Sequence, residues 1–457
     1  MAGSRKSRPV SRKAPDLVSR VAASLRGVVK PGERLVVGLS GGVDSMVLLD
    51  ILSRIAQRRR FHLAALHVNH RISPHAARWA AFCRAVCRAR GVPLRVVRVA
   101  VKRGDSLEAA ARAARYDALL SCKADGVVLA HNQDDQAETL LLQLLRGAGV
   151  KGLAAMPVAG GGQAAGARPA TPRLLRPLLD VPRTAIEAYA RARGLEWVED
   201  ESNADTYFLR NFLRHEVLPL LARRFPAYRA TLARSARHFA EASQLLDELA
   251  AGDGAEYICD GALRVAGLRR LSPARARNLL RHFLARRGVI MPNAERLEEA
   301  LRQSLTAKRD AAVRVDLGSH ELRRFAQALY VVEKAPVPAA AFAVAWRGER
   351  RLALPEFGGV MTLTKCRGSG ISLARLQAKP VTVRVRRGGE RLQPACRRPR
   401  RSLKKLLQES RLPPWQRERL PLLFCGSKLV WAPGIGIDCE FQAQAGETSV
   451  APEWDTQ

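Results

Sequence analysis

Two polar runs interrupt otherwise apolar sequence: Ser40-Gly41-Gly42-Val43-Asp44-Ser45 and His131-Asn132-Gln133-Asp134-Asp135-Gln136-Ala137-Glu138. Before the first, Leu35-Val36-Val37 reads as a short strand covered on both faces. After it, Met46–Ile55 spaces its apolar residues as a helix does. Gly41 and Gly42 therefore fall in a strand-to-helix turn, where a missing Cβ lets a ligand reach the backbone. The start of a helix adds unpaired N–H donors and the positive end of the dipole. Such a turn suits an anion, phosphate above all, held by Ser40, Gly41, Gly42, Val43, Asp44 and Ser45. It is not a Walker A loop, because no Gly-Lys-Ser/Thr follows.

In the second run, His131 ends a predicted strand and Asp134, Asp135 and Glu138 begin a helix. Acidic residues there complement the helix dipole, which accounts for Asp134 and Glu138 as well as any chemistry does. Asp135 stands apart, because adjacent strands would bring it toward the Ser-Gly turn. A carboxylate beside nucleotide phosphates holds Mg²⁺ or positions an incoming group. A third polar nest, His67, Asn69 and His70, also ends a strand, and its histidines read first as satisfied core or rim residues. Arg112 and Arg115 share a helix face and would either clamp a phosphate or form a solvated basic surface.

The elements that must position these groups alternate. His62–His70, Leu94–Val101 and Gly126–His131 read as buried strands, with helical periodicity over Ala76–Arg90 and Leu107–Lys123. The pattern predicts an α/β fold, a doubly wound parallel sheet with ligand loops at the strand C-ends. A small helical domain and a small C-terminal α+β domain follow it. The expected divisions are a basic disordered tail over 1–30, a catalytic domain over 31–225, a helical middle domain over 226–333 and a terminal domain over 342–457. Pro157–Arg173 is rich in Gly, Ala and Pro and reads as a mobile loop, and Lys334–Ala341 as a linker.

Composition narrows the partners. Lys and Arg number 77 against 42 Asp and Glu, a formal charge of +35 over 457 residues. Self-repulsion on that scale points to a polyanion, nucleic acid before an anionic membrane. The eight cysteines are scattered and do not resemble a disulfide framework. Cys83 and Cys87 alone make no metal site, and no metal ligands are assigned. The start has no apolar core and is no secretory signal, and the longest apolar run is too short for a bilayer. A soluble, cytoplasmic protein is expected, its oligomeric state left open, a homodimer included.

Ser-Gly-Gly-Val-Asp-Ser after a buried strand resembles the PP-loop of the N-type ATP pyrophosphatases. Longer stretches, among them "HVNHRIS", "AHNQDDQAETLLLQLLRGAGVKGLAAM", "FLRNFLRHEVLP" and "RRSLKKLLQESRLPPWQRERLPLLFCGSKLVWAPGIGID", are similar to the tRNA(Ile)-lysidine synthase family. The resemblance implies a ligase using ATP and Mg²⁺. It would adenylate C2–O of the wobble cytidine in the CAU anticodon of tRNA(Ile) and then let free L-lysine displace AMP. It further implies Asp44, Asp135 and Arg115 as catalytic and Arg112 on the tRNA, with Arg210, Asn211 and Arg214 either meeting the tRNA or closing over the active site. Lys404 and Lys405, on the solvent side of a terminal-domain helix in a chain of charge +35, are expected on the tRNA backbone. Arg71-Ile72-Ser73, Asn132 and Glu201 depart from the family pattern, so no role is assigned at 71–73 or 132. A tRNA 2-thiolase is the nearest rival, although no Cys-x-x-Cys pair is present. An amide-forming synthetase would need a glutaminase domain for which the chain leaves no room. A non-catalytic RNA binder is opposed by the intact Ser40, Asp44 and Ser45.

Overall fold

Strand β1 (Arg34–Gly38) lies at the centre of a six-stranded sheet because both its faces are apolar. Leu35 and Val37 join one core cluster while Val36 packs with another, so the period-2 alternation divides the strand between two buried layers. A computed structural model describes residues 16–71, 73–100, 107–160, 171–201, 205–308, 311, 313–334, 338–339, 341–410 and 412–456. Following β1 come α2 (Val43–Arg59), β2 (His62–Asn69), α3 (Ala76–Ala89), β3 (Leu94–Arg98), α4 (Leu107–Leu120), β4 (Gly126–Val128) and α5 (Gln133–Leu145). Next are α6 (Val150–Leu153), β5 (Ala159–Gly160), β6 (Arg173–Leu175) and α7 (Arg183–Ala192).

The strand order is β3-β2-β1-β4-β6-β5, parallel except for β5, which runs antiparallel to β6. Val36 pairs with Ala64 of β2 on one side and Val127 of β4 on the other. The chain thus leaves β1 in one direction and returns on its opposite edge. The loops after β1 and β4 meet at this switch point, where doubly wound sheets bind their ligands.

Residues 1–30 were expected to form a disordered tail, and the described part corrects this. Helix α1 (Leu17–Ser24) begins at Asp16, whose side chain accepts from Ser19 N, and buries Val21 completely in the sheet's core cluster. The basic composition hid a Leu-Val-x-x-Val stripe at helical spacing. Most of the Pro157–Arg173 loop lies outside the described residues, and its two ends form the β5–β6 pair. The centre of the Lys334–Ala341 linker also lies outside them.

Helix α8 (Leu209–Phe212), a π-helical turn (Leu213–Val217), α9 (Leu218–Arg224) and the long α10 (Tyr228–Gly254) follow α7. Helix α10 packs on α5 and α6, so it belongs to the same body as the sheet. Helices α11 (Val265–Arg270), α12 (Pro273–Arg286) and α13 (Ala294–Thr306) complete this first compact unit, which ends at Ala307. The division falls inside the stretch expected as one helical domain, because the chain from Arg314 turns to strand.

The second unit runs from Lys308. It opens with a meander of Arg314–Leu317, His320–Phe325 and Ala328–Glu333. Two antiparallel sheets follow, one built on Ala343–Trp346 and Val381–Arg384, the other on Gly359–Arg367 and Thr448–Thr456. Met361, Leu363, Val383, Val430 and Val450 fill the core between them. The scatter of cysteines predicted no disulfide, and this too is corrected: Cys396 and Cys439 are bonded, with Cα atoms 5.2 Å apart. Their 43-residue separation left no signal in the spacing.

Candidate active site

The turn after β1 is built by its serines. Ser45 Oγ donates to Gly42 O (2.9 Å) and accepts from Gly41 N (3.1 Å), while Gly42 N donates to Ser40 Oγ (3.3 Å). Gly41 has φ +94°, and a Cβ there would lie 2.8 Å from Val198 Cγ2. No side chain caps α2 at Gly42, which leaves the first N–H groups of the helix to an anion. A cleft of about 450 Å³ opens beside this turn, with Phe82, Trp197 and Val198 in its wall.

Asn132 joins the two polar runs. Its side-chain oxygen accepts from Asp134 N and Asp135 N, and its Nδ2 donates to Asp44 Oδ1 at 3.0 Å. Asp135 in turn accepts from Asn132 N at 3.0 Å, a reciprocal capping box. Sequence assigns Asn132 no role, because the family pattern is broken there. The Asn-x-x-Asp spacing before an apolar run is nonetheless a legible cap signal. Burial raises the Asp44 carboxyl to about 6, opposed by Arg183, reinforced by Asp135 and opposed again by Asn132 and Arg214.

Glu138, one turn further along α5, is the carboxylate that sequence undervalues. Its side chain is 1% exposed and takes Arg210 Nε at 2.8 Å and Arg214 Nε at 2.7 Å. Both guanidiniums also reach Asp135 Oδ1, at 3.0 and 3.5 Å. Arg210 and Arg214, expected to meet tRNA or close over the site, thus have their charged ends on its acidic residues. Asn211 instead points its Nδ2 at Asp205 O (2.9 Å). Asp134 is structural, as its position at a helix start allowed. It accepts from Arg183 N (3.0 Å) and pairs with Arg229, tying α7 and α10 to α5.

A cationic wall faces these acids. His131 Nδ1 accepts from Arg176 Nε at 3.2 Å, which fixes the neutral ring with its proton on Nε2. Burial holds His131 well below the ordinary imidazole range, and Arg176, Arg210, Arg115 and Arg112 push the same way. Burial, with Arg112 beside it, also lowers the Arg115 guanidinium. Arg112 stacks over Tyr116 with its Cζ 5.1 Å from the ring centroid. His67 is a satisfied core residue, as expected, its Nδ1 2.8 Å from Leu39 O. Lys404 and Lys405 lie in the second unit, exposed on helix Leu403–Glu409, while Leu403 and Leu407 are buried.

No group of three or more His, Cys, Asp or Glu side chains gathers for a metal among the described residues. Burial pushes the Cys83 thiol up to about 12 and raises Cys87 and Cys122 as well, so none of the three is a ready nucleophile.

A phosphate turn at the switch point of a doubly wound sheet, faced by an acidic helix start, defines an ATP-using PP-loop protein. The PP-loop domain family matches residues 13–221, the TilS substrate binding domain 263–330 and the TilS substrate C-terminal domain 381–454. A tRNA(Ile)-lysidine synthase from Nitrosomonas europaea is 48% identical and covers 94% of both chains. Those from Azoarcus sp. and Coxiella burnetii are 43% and 40% identical, covering 96% and 90% of this chain and 96% and 91% of their own. The chain belongs to the tRNA(Ile)-lysidine synthase family.

Proposed function

We propose that this chain ligates L-lysine to C2 of the wobble cytidine in the CAU anticodon of tRNA(Ile), converting ATP to AMP and pyrophosphate. The observation that carries this is the Asp44–Asn132–Asp135 link, which sets an acidic helix start against the phosphate turn. A cytosine carbonyl oxygen is a very poor leaving group. In the first step O2 attacks the α-phosphorus of ATP and pyrophosphate departs. In the second, the lysine ε-amine attacks C2, AMP leaves with the oxygen, and the amine loses its proton.

The uncapped start of α2 and the Ser40–Ser45 turn would hold the departing pyrophosphate and offset the charge developing on it. Asp44, only one oxygen of which is hydrogen-bonded among the described residues, is the residue that would hold Mg²⁺, and Asp135, whose oxygens take Asn132 N and two guanidiniums, would join it by giving up one of those partners. When bound, the ion would neutralise phosphate charge during transfer. Arg112 and Arg115 supply a partly desolvated cationic wall fit for a phosphate. The middle helices and the second unit would carry the tRNA body. A reaction on free ATP, lysine and tRNA belongs in the cytoplasm, and no described helix is long and apolar enough to cross a membrane.

Purified protein should release pyrophosphate only with ATP, Mg²⁺ and the CAU-anticodon tRNA, with labelled lysine entering the RNA. Turnover with a sulfur donor and none with lysine would assign thiolation instead.

A further inference from the structure

His131 is held from one side by an arginine that has no acid of its own. Arg176, one residue beyond β6, is 6% exposed and forms no ion pair among the described residues. Its Nη1 donates to Pro157 O at 3.0 Å, its backbone N to Val158 O at 2.8 Å and its Nε to His131 Nδ1 at 3.2 Å. A buried guanidinium is ordinarily matched by a carboxylate, because desolvating an unmatched charge is costly. This one faces a neutral ring instead. The sheet fixes the pair, since Val128 of β4 lies opposite Leu175 of β6 and Leu129 N donates to Leu175 O at 2.8 Å. An arginine Nε can only donate, so Nδ1 must accept and the single ring proton sits on Nε2. That Nε2–H has no partner among the described residues. His131 is the chain neighbour of Asn132, whose Nδ2 reaches Asp44 on the phosphate turn. Burial keeps the ring neutral, with Arg176, Arg210, Arg115 and Arg112 around it acting in the same direction.

A donor of fixed sense beside the reacting oxygen distinguishes one pyrimidine from the other. O2 and N3 of a cytosine are adjacent acceptors, both bonded to C2, so a base that sets O2 against the α-phosphate brings N3 to the same wall. Uracil carries the same O2, but its N3 bears a hydrogen and is a donor. We propose that His131 donates from Nε2 to N3 of the target cytosine, and that Arg176, a positioning residue, excludes the other ring tautomer and with it uracil. Against uracil two N–H groups would oppose each other, and a site built around a hydrogen bond strongly rejects a base that cannot make it. The opposite tautomer would present a lone pair and accept from uracil N3–H. The same bond serves the second step. As the lysine amine attacks C2, the C2=N3 electron pair moves onto N3 and returns as AMP leaves. A donor already in place there stabilises that charge.

The inference rests on the reaction proposed above, and its test separates the two. Pyrophosphate release by the full chain would be measured with ATP, Mg²⁺ and lysine on tRNA bearing cytidine, 3-deazacytidine or uridine at the wobble position. The deaza base replaces N3 by C–H and keeps O2. His131→Leu should lose about tenfold in kcat/KM on cytidine, the scale of one hydrogen bond. The deaza change should cost wild type about tenfold more than it costs His131→Leu, which has no donor left to lose. Arg176→Met frees the ring to take either tautomer, so its uridine-to-cytidine ratio of kcat/KM should rise about tenfold. Its His131 ring-nitrogen NMR signals should show both tautomers where wild type shows only Nδ1 as acceptor. Equal deaza effects in wild type and His131→Leu would overturn the assignment of His131, whether or not Arg176→Met folds. An unchanged base ratio in folded Arg176→Met would overturn the positioning role. Failure of wild type to release pyrophosphate on the cytidine tRNA would remove the reaction itself, whereas release with equal deaza effects removes only the reading of N3.

Discussion

Asp44 is held where its charge is disfavoured. Its folded pKa of about 6 lies above the ordinary 3.8, with burial as the main cause. Between those values the native chain binds more protons than the unfolded one, so stability falls as pH rises through that window. Above it the penalty is complete, on the order of 1–3 kcal/mol. Asp44→Asn removes the penalty and can still accept from Asn132 Nδ2. It should raise the melting temperature at neutral pH, with the gain shrinking as pH falls toward the lower end of that window. The same substitution should lower kcat by orders of magnitude while tRNA binding survives, because the charge removed serves the transition state. Near-normal turnover in Asp44→Asn would remove it from the catalytic set. Asp135→Asn should also abolish turnover but lower stability, since that carboxylate caps Asn132 N and pairs with two guanidiniums.

Elements bring such residues together, and β1 with α2 shows how tightly. Gly41 needs its left-handed φ of +94°, and an added Cβ would meet Val198 Cγ2 at 2.8 Å and Cys83 Sγ at 3.3 Å. Gly42 is extended, and its nearest neighbour would be Ser40 Oγ at 3.6 Å. Gly41→Ala should therefore lower the melting temperature by several degrees, through strain of about 1–2 kcal/mol and displacement of the Val198 segment. Gly42→Ala should melt close to wild type. Equal melting of the two variants would show that the turn is not held by this packing. The alternation of strand and helix was legible in sequence because a sheet buried on both faces writes itself as short apolar runs. So was the phosphate turn, where glycines and serines stand between two such runs. The grip of Arg210 and Arg214 on Glu138 was not, because those partners lie 72 and 76 residues apart and meet only through packing. Asn132 was readable as a cap, but its bond to Asp44 depends on strand order, which periodicity does not reveal.

For the whole molecule the dominant fact is the charge of +35. It is the balance left once every carboxylate is counted, and some carboxylates are spent on pairs inside the units: Arg210, Arg214 and Arg229 in the first and Arg314, Arg400 and Arg401 in the second all meet one. Helix Leu403–Glu409 shows both fates, since Arg401 just before it pairs with Glu409 while Lys404 and Lys405 stay exposed. Leu403 and Leu407 anchor that helix in its own small core, so the two ammonium groups project from a fixed support. Lys404→Glu with Lys405→Glu should therefore leave folding and ATP binding unchanged while weakening the grip on tRNA. For each phosphate that the variant no longer neutralises, the slope of log K against log salt should flatten by about 0.7 to 0.9. A wild type that neutralises roughly 6–10 phosphates should bind about 10³–10⁵ more weakly at ~200 mM salt than at ~50 mM. A salt series on wild type and double variant decides the matter. Unchanged affinity and slope would mean that this helix is only a solvated face and that the tRNA body is gripped elsewhere.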